Sequence, residues 1–312
     1  MIQKPLPLSN SEAIRAYKKT RMSKFFLGPK DEPSVRGAII DGTLLVRQMR
    51  ANHDLGILET LILGHAYLGA LLMTSQLKGQ DTLSISVTCE GPAKGYYVEA
   101  NAFGEVRGYL KNHSIPITKP LDSQDYSEFF GPGRMEITRI LEGGKKPFSS
   151  ALELQYGNIA QDLAYYYTVS EQTPSAFHLS IRFDEKGAVI GAGGLKLQAF
   201  PGAAPGNDDL VRRIENQMML LPSLGSEIAH GQTAMEYLEH WFQDFTVTAL
   251  DSRPVEFMCH CSEEKFLHHL KNLPAEDRKD IRDNGPFPLV LSCHHCGSTY
   301  EIAKQTLQEW DI

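Results

Sequence analysis

The chain has few cysteines and tryptophans, and it has no surplus of positive charge. Its 312 residues include five cysteines and two tryptophans, and 31 lysines and arginines stand against 38 aspartates and glutamates, a formal net charge of −7. Proteins that bind nucleic acid do so mainly by neutralising phosphates with basic side chains. We therefore expect no nucleic acid among the partners of this protein.

The sequence also lacks an obvious secretory or membrane segment. Residues 1–30 contain no continuous apolar run of the length that a signal peptide needs. Residues 57–77 are apolar on nearly every face, but Glu59, His65 and Gln76 interrupt them, and the run only just reaches membrane-spanning length. We interpret this stretch as a buried central helix, and we expect a cytoplasmic protein without a membrane partner.

No catalytic motif is recognisable either. The glycine-rich run at 191–194 lies in a predicted hairpin and is not followed by a helix, so it does not form a phosphate-binding loop. Asp162 and Glu171 flank a tyrosine-rich helix, but neither has a base or a metal partner, and we interpret both as surface or capping residues. We expect that the protein is not an enzyme.

What the chain does contain is a cluster of cysteines near its C-terminus. Four of the five cysteines, Cys259, Cys261, Cys293 and Cys296, form two close pairs. A thiolate is both a good zinc ligand and an oxidisable nucleophile. The pairs therefore indicate a four-sulfur metal site or a dithiol switch, and the two interpretations are compatible. The fifth cysteine, Cys89, is expected to be a small buried apolar residue.

The surroundings of the two pairs favour a metal site. Residues 255–258 are typical of an extended run into the first pair, where alternation puts Cys259 and Cys261 on one face. The short apolar strand 288–291 precedes the second pair, and Gly297 after it supplies the permissive backbone of a tight turn. A thioredoxin-type pair would instead open a helix in a βαβ pattern. We predict one zinc ion per chain, held by all four cysteines.

Three histidines adjoin these cysteines and are alternative ligands, namely His260, His294 and His295. Because four thiolates already close a tetrahedral site, we expect the histidines to be solvated neighbours. A closed site also leaves no open coordination position, which disfavours a zinc enzyme. Two kinds of protein remain. One is a zinc-ribbon adaptor that binds a protein or nucleic-acid partner through the folded C-terminal segment, and the other is a switch that acts by losing its zinc.

A physical argument connects zinc to such a switch. The segment 256–312 has few large apolar residues and is below the size at which a core alone is sufficient. Structural zinc contributes about 10–16 kcal/mol of apparent binding free energy in small domains, whereas whole domains are stable by about 5–15 kcal/mol. Loss of zinc should therefore unfold this segment and release the helices that precede it.

The rest of the chain is predicted to be an α+β protein. Residues 35–205 form its core domain, with a large antiparallel sheet and helices segregated against it. Period-two alternation marks the strands, and the turn at 184–187 gives a strong hairpin signal. The predicted strands are 35–40, 83–87, 94–100, 106–110, 135–140, 177–183 and 188–200, and the predicted helices are 43–52, 57–77 and 158–169.

Further regions flank this core. Residues 1–34 are an N-terminal extension, in which a Ser-Asn-Ser-Glu capping box starts a short basic helix through about residue 24. A boundary rich in proline and glycine at 201–206 leads to an amphipathic helical linker at 206–254. Residues 255–312 are the zinc-binding redox-switch domain.

At several motifs the sequence resembles a known family. The most specific are Asp-Leu-Ala-Tyr-Tyr-Tyr at 162–167, Ser-Glu-Gln-Thr-Pro-Ser-Ala at 170–176, Gly-Gly at 193–194 before Pro-Gly-Ala at 201–203, and the C-terminal Cys-x-Cys and Cys-x-x-Cys-Gly. Over residues 35–304 the chain resembles the thirty-three-kilodalton heat-shock chaperones, which are redox-regulated, ATP-independent holdases.

The resemblance implies a mode of action. In the reduced form all four thiolates bind zinc and the chaperone is inactive. Oxidants pair Cys259 with Cys261 and Cys293 with Cys296, zinc leaves, and the C-terminal region unfolds. The exposed surface then binds unfolding client proteins, usually in a homodimer. The chain departs from the family in its N-terminal extension, in its histidine-rich turn, and at Met258, where a basic residue that would influence thiolate reactivity is common.

The linker contains the candidate client-binding residues. Apolar side chains recur at helical spacing, first at Leu210, Val211, Ile214, Met218 and Leu221, then at Met235, Leu238, Phe242 and Phe245. These helices are too short to be stable alone and must pack on another part of the protein. Exposed methionine and aromatic side chains adapt to many partners. We therefore select Met218, Leu238, Trp241 and Phe242 as candidates for client binding.

Overall fold

The structure, a computed structural model, describes residues 1–28, 35–117, 125–144, 146–200 and 208–308. The predicted boundary at 201–206 lies outside these residues. The helices are α1 (Asn10–Lys19), α2 (Thr43–His53), α3 (Ile57–Met73), α4 (Ile159–Val169), α5 (Asp208–Leu220), α6 (Leu224–Ala229), α7 (Ala234–Trp241), α8 (Glu263–Lys271), α9 (Ala275–Asn284) and α10 (Lys304–Gln308).

The strands include every strand that the sequence predicts in the core. They are β1 (Arg21–Leu27), β2 (Val35–Asp41), β3 (Thr82–Cys89), β4 (Gly95–Asn101), β5 (Glu105–Leu110), β6 (Gly133–Ile140), β7 (Phe148–Glu153), β8 (Ser175–Phe183), β9 (Val189–Ala199), β10 (Val247–Pro254), β11 (Glu256–Phe257), β12 (Leu289–Ser292) and β13 (Thr299–Ile302).

These strands form two larger sheets and one hairpin, where the sequence analysis expected a single large sheet in the core. The first sheet has the order β10-β1-β2-β9-β8, and the second has the order β11-β5-β4-β3-β6-β7. The remaining pair, β12 and β13, is an antiparallel hairpin near the C-terminus. In the larger sheets the neighbours pair antiparallel, except that β11 pairs parallel with β5. The predicted α+β class is confirmed.

Helix α3 lies between the two sheets. It packs on β4 and β5 on one side and on β8 and β9 on the other. Every residue of the helix except Ile57 is buried, which accounts for its apolar character on all faces. Within the described chain, residues 57–76 are the one helical stretch apolar and long enough to cross a membrane, and almost all of it is buried inside the protein. The prediction of a buried central helix is confirmed.

Helix α4 packs against α3 and β8. The side chain of Asn158 accepts a hydrogen bond from the amide of Gln161 and caps the helix, as predicted. Asp162 is only 3% exposed, so its interpretation as a surface residue is wrong. Its carboxylate accepts hydrogen bonds from the amides of Gln155 and Tyr156 in the loop before α4, which agrees with the alternative interpretation as a capping residue.

The N-terminal region contributes a strand to the core. The capping box of Ser9 and Glu12 is present, but α1 ends at Lys19, so the predicted helix through residue 24 is wrong in its second part. Residues 21–27 form β1, which pairs with β2 on one side and with β10 on the other. Since β10 lies in the predicted linker, the two flanking regions meet directly in one sheet. The division of the chain into four regions stays a prediction.

A second apolar core lies on the outer face of the first sheet. Buried side chains of α5, α6 and α7 pack there against Phe25, Leu27, Ile39 and Leu195 of the strands. Of the four candidate client-binding residues, Leu238 and Phe242 are completely buried in this core, whereas Met218 and Trp241 are partly buried at its edge. In this conformation the linker helices are therefore held by the sheet.

Candidate metal centre

Two short loops bring the four C-terminal cysteines together. Strand β11 leads into the loop of Cys259 and Cys261, and the turn between β12 and β13 carries Cys293 and Cys296. In that turn the amide of Gly297 donates to the Cys293 carbonyl at 2.8 Å. Gly297 has a positive φ of 66°, and a Cβ there would lie 2.5 Å from a backbone oxygen of α2. Glycine is thus needed for the turn and for its close approach to the core.

The four sulfur atoms form one compact group. All of them lie within 4.8 Å of one another, with 3.8 Å between Cys259 and Cys293 and 3.4 Å between Cys261 and Cys296. Zinc–sulfur bonds of about 2.3 Å in a tetrahedron place neighbouring sulfurs about 3.8 Å apart, so the arrangement fits a four-sulfur zinc site. All five cysteines are among the described residues, and none of them is in a disulfide.

One thiol of the cluster, that of Cys259, has a lowered pKa. Hydrogen bonds from Cys293 and Cys296, with a smaller contribution from Arg107, hold the pKa of Cys259 well below its usual value. The same interaction with Cys259 raises the pKa of the Cys293 thiol to about 11. Because metals bind thiolates, the lowered pKa of Cys259 favours its role as a metal ligand.

Arg107 is a residue of this site that the sequence analysis missed. Its guanidinium lies 3.7 Å from the sulfur of Cys259, and Glu99 holds it in place through an ion pair of 2.8 Å. Arg107 sits on β5, so only the docking of β11 beside that strand brings it to the cysteines. The alternating pattern of β5 marks Arg107 as outward-facing but gives no indication of what covers it.

The neighbouring histidines lie outside the sulfur cluster. In the described residues, the group that could hold a metal consists of the four cysteines. His260 is exposed and pairs with Glu105 at 2.9 Å. The prediction of a solvated neighbour is wrong for His295. Its ring packs against the rings of Tyr97 and Tyr109, each with a centroid distance of 5.4 Å. This contact helps to fasten the cysteine turn to the second sheet.

The sulfur cluster remains accessible from one side. A cavity of about 340 Å³ opens beside it and is lined by Cys259, Cys261 and Cys293 together with Arg107 and Lys265. Of the three lining cysteines, Cys261 is half-buried, whereas Cys259 and Cys293 are buried. A small oxidant that enters this cavity would therefore meet Cys261 first.

Comparison with known proteins places the chain in a family. The family model described as Hsp33 protein matches residues 28–303. The chain belongs to the Hsp33 family. A 33 kDa chaperonin of Desulforamulus reducens is 37% identical over 268 residues, which cover 85% of this chain and 89% of that protein. The 33 kDa chaperonin of Cyanothece sp. is 33% identical over 286 residues, covering 89% and 93%.

A solved structure in the Hsp33 family agrees with the fold. The crystal structure of the 33 kDa chaperonin from Thermotoga maritima superimposes with a TM-score of 0.82 at 28% identity, and the match covers 93% of this chain and 97% of that one. The resemblance noted in the sequence is confirmed, and membership of the Hsp33 family supports a chaperone function. Residues 1–27 precede the stretch that matches the family model.

Proposed function

We propose that the protein is a redox-regulated, ATP-independent chaperone of the holdase type. In the reduced state, Cys259, Cys261, Cys293 and Cys296 bind one zinc ion, and the chaperone is inactive. A bound zinc ion would cross-link the two loops and neutralise part of their thiolate charge. The observation that supports this proposal best is the grouping of four sulfurs within 4.8 Å. They lie in residues 255–308, which we call the cysteine module and which have little other core.

The small core of the module makes its fold dependent on the metal. Helices α8 and α9, which form its outer part, have no buried residues. Its buried side chains are few, and three of them are the ligands Cys259, Cys293 and Cys296. Structural zinc contributes about 10–16 kcal/mol in such modules, so its loss removes most of the free energy that keeps the module folded.

Oxidation supplies the switch. Cys259 pairs with Cys261, and Cys293 pairs with Cys296. In each pair two thiolates lose two electrons to one molecule of hydrogen peroxide, which takes up two protons from solvent and becomes two water molecules while the sulfur–sulfur bond forms. No thiolate then remains to hold the metal, and the module unfolds. Membership of the Hsp33 family is the support for pairing within each loop. The sulfur distances of 3.4 Å and 3.8 Å join Cys261 to Cys296 and Cys259 to Cys293 across the loops and do not select it. A Cys-x-Cys bridge is strained and more easily reduced.

Unfolding of the module is transmitted to the linker. Strand β10 connects the linker helices to β11 and is held by pairing with β1. Loss of β11 removes the support at the C-terminal end of β10, and detachment of this edge strand would then free the helices. Release of α7 from the sheet exposes Leu238 and Phe242, with Met218 and Trp241 beside them. These flexible and aromatic side chains suit unfolding client proteins of many sequences. We further propose a cytoplasmic location, where resting thiols are reduced, and a homodimer in the oxidised state.

The test is suppression of aggregation without nucleotide. A heat-denatured client is mixed with reduced, zinc-loaded protein or with protein treated with peroxide at the same temperature. We expect only the oxidised protein to keep the client in solution. An adaptor that works through the folded module would instead bind a partner in its reduced form and would not protect the client after oxidation.

A further inference from the structure

The first residues of the chain lie across the candidate metal centre. We call residues 1–8 the N-terminal strap. The amino nitrogen of Met1 donates to the Cys261 carbonyl at 2.8 Å. The amide of Ile2 donates to the hydroxyl of Ser298 at 2.9 Å, and that hydroxyl lies 3.1 Å from the Ile2 carbonyl. The strap is therefore bonded to both loops that carry the cysteines.

The strap is bonded to the core as well. The amide of Lys4 donates to the side-chain oxygen of Asn52 at 3.2 Å, and the Lys4 carbonyl accepts from Gln48 at 2.8 Å. Both partners belong to α2. The side-chain nitrogen of Asn52 donates to the carbonyls of Ile2 at 2.9 Å and of Cys296 at 3.0 Å. Asn52 thus joins the helix, the strap and a cysteine turn.

Two buried polar residues connect the strap to a metal ligand. Asn52 and Ser298 are each only 3% exposed. The sulfur of Cys296 lies 3.1 Å from the Ser298 hydroxyl oxygen, the same oxygen that the Ile2 amide contacts. Groups that hydrogen-bond to metal ligands orient them, and their loss commonly reduces metal affinity by about 10–100-fold. The strap occupies this supporting position around Cys296.

Elsewhere the strap and the helix after it are weakly attached. Helix α1 has no buried residues, and its Ile14 and Tyr17 are more than half exposed. A cavity of about 450 Å³ separates this region from α2 and β11. Three of the six polar contacts described above go from the strap to the cysteine loops, and the other three go to α2. Unfolding of the module would remove the first three and leave the strap attached through α2 alone.

We propose that the N-terminal strap locks the two cysteine loops onto α2 and slows the opening of the metal centre. This proposal rests on the proposed zinc-release switch. It holds that residues 1–8, which lie outside the match to the family model, influence how readily an oxidant opens the switch. Asn52 and Ser298 act as positioning residues, because they support Cys296 without binding the metal. When the module unfolds, the strap loses its three contacts to the cysteine loops.

The experiment compares the full chain with three variants. The first lacks residues 2–8. The second is Lys4→Pro, which removes the amide that donates to Asn52. The third, Lys4→Ala, is the matched control, because it keeps that amide and alters only an exposed side chain. Hydrogen–deuterium exchange at residues 293–302 is measured in the reduced, zinc-loaded proteins, and zinc release after addition of peroxide is followed with a chromogenic chelator.

We expect about tenfold faster exchange and zinc release for the deletion, a smaller acceleration for Lys4→Pro, and unchanged rates for Lys4→Ala. Equal rates for the deletion, Lys4→Pro and the full chain would overturn the proposal. If the deleted protein binds no zinc, Lys4→Pro decides the question. If peroxide releases zinc from none of the proteins, the proposed function fails, while exchange in the reduced proteins still tests the strap.

Discussion

The guanidinium of Arg107 lies 3.7 Å from the sulfur of Cys259, although 152 residues separate them in the chain. Glu99 fixes the guanidinium from its other side. A positive charge beside a thiol stabilises the thiolate and so promotes both metal binding and reaction with oxidants. Met258, the residue before Cys259, is uncharged, and Arg107 supplies a positive charge to Cys259 from β5. We therefore expect the chemistry of Cys259 to depend on docking of the cysteine module.

Replacing Arg107 should weaken zinc binding. Arg107→Met removes a charged group that hydrogen-bonds to the sulfur of Cys259, and the loss of such a supporting contact commonly lowers metal affinity by about 10–100-fold. Competition with a chelator of known affinity, carried out on reduced protein, measures the change. Arg134→Met, an exposed substitution on β6 with the same change in charge, is the control. Equal affinities in both variants would exclude a role for Arg107.

Loss of one cysteine should abolish tight zinc binding. Cys293→Ser removes one of four sulfurs, and we expect zinc affinity to fall by more than the about 10–100-fold that supporting residues account for. Cys89→Ser is the control, since Cys89 lies on β3, away from the cluster. A competition assay with a chelator of known affinity measures both. Full affinity in Cys293→Ser would mean that a histidine completes the site.

The buried lysine of the first sheet should make the core pH-sensitive. Lys196 is 2% exposed, and its amino group donates to the Tyr167 hydroxyl at 2.8 Å. Burial, with Arg36 and Arg139 nearby, holds the pKa of Lys196 well below its ordinary value. The unfolded chain therefore binds more protons than the native one between the native pKa and about 10.4, so stability rises with pH in that window.

Lys196→Met tests this directly. At neutral pH the variant should be more stable by about 1–3 kcal/mol, since it no longer buries an amino group. The difference should shrink as the pH rises towards 10. Urea unfolding at several pH values measures both trends, and Lys186→Met in the exposed turn between β8 and β9 serves as control. A difference that grows with pH would contradict the assignment.

Oxidation should change which parts of the chain a protease can reach. After peroxide treatment, we expect early cleavage in the cysteine module and in α5 to α7, while fragments containing α3 persist because that helix is enclosed by two sheets. In the reduced protein α7 should resist, since Leu238 and Phe242 are buried. Uniform digestion of the oxidised chain would show that the core has no separate stability.

Much of this architecture could be predicted from local patterns. Alternation of apolar residues predicts β3, β4 and β5. The spacing of the four cysteines predicts that they form one site. Strand β1 was missed, because a capping box and basic residues before it favour a helix that continues. Strand β10 was missed because it is an edge strand with mostly exposed residues and no period of two. The two-sheet arrangement follows from α3, whose apolar faces need cover on both sides.

The contacts that regulate the site could not be predicted. Arg107 and Asn52 reach the cysteines only through tertiary docking, across 152 and 244 residues. Neither has a sequence pattern that distinguishes it from an ordinary strand or helix residue. The position of the strap depends on backbone amides and carbonyls, which every residue carries.

The most direct test of the whole account is one time course on one sample. Reduced, zinc-loaded protein is treated with peroxide at elevated temperature, and zinc release, binding of a hydrophobic dye and protection of a heat-denatured client are followed together. We expect the three signals to rise in parallel, with no client protection before zinc is released. Equal protection by the reduced, zinc-loaded protein, or release of zinc with dye binding but without protection, would contradict the account.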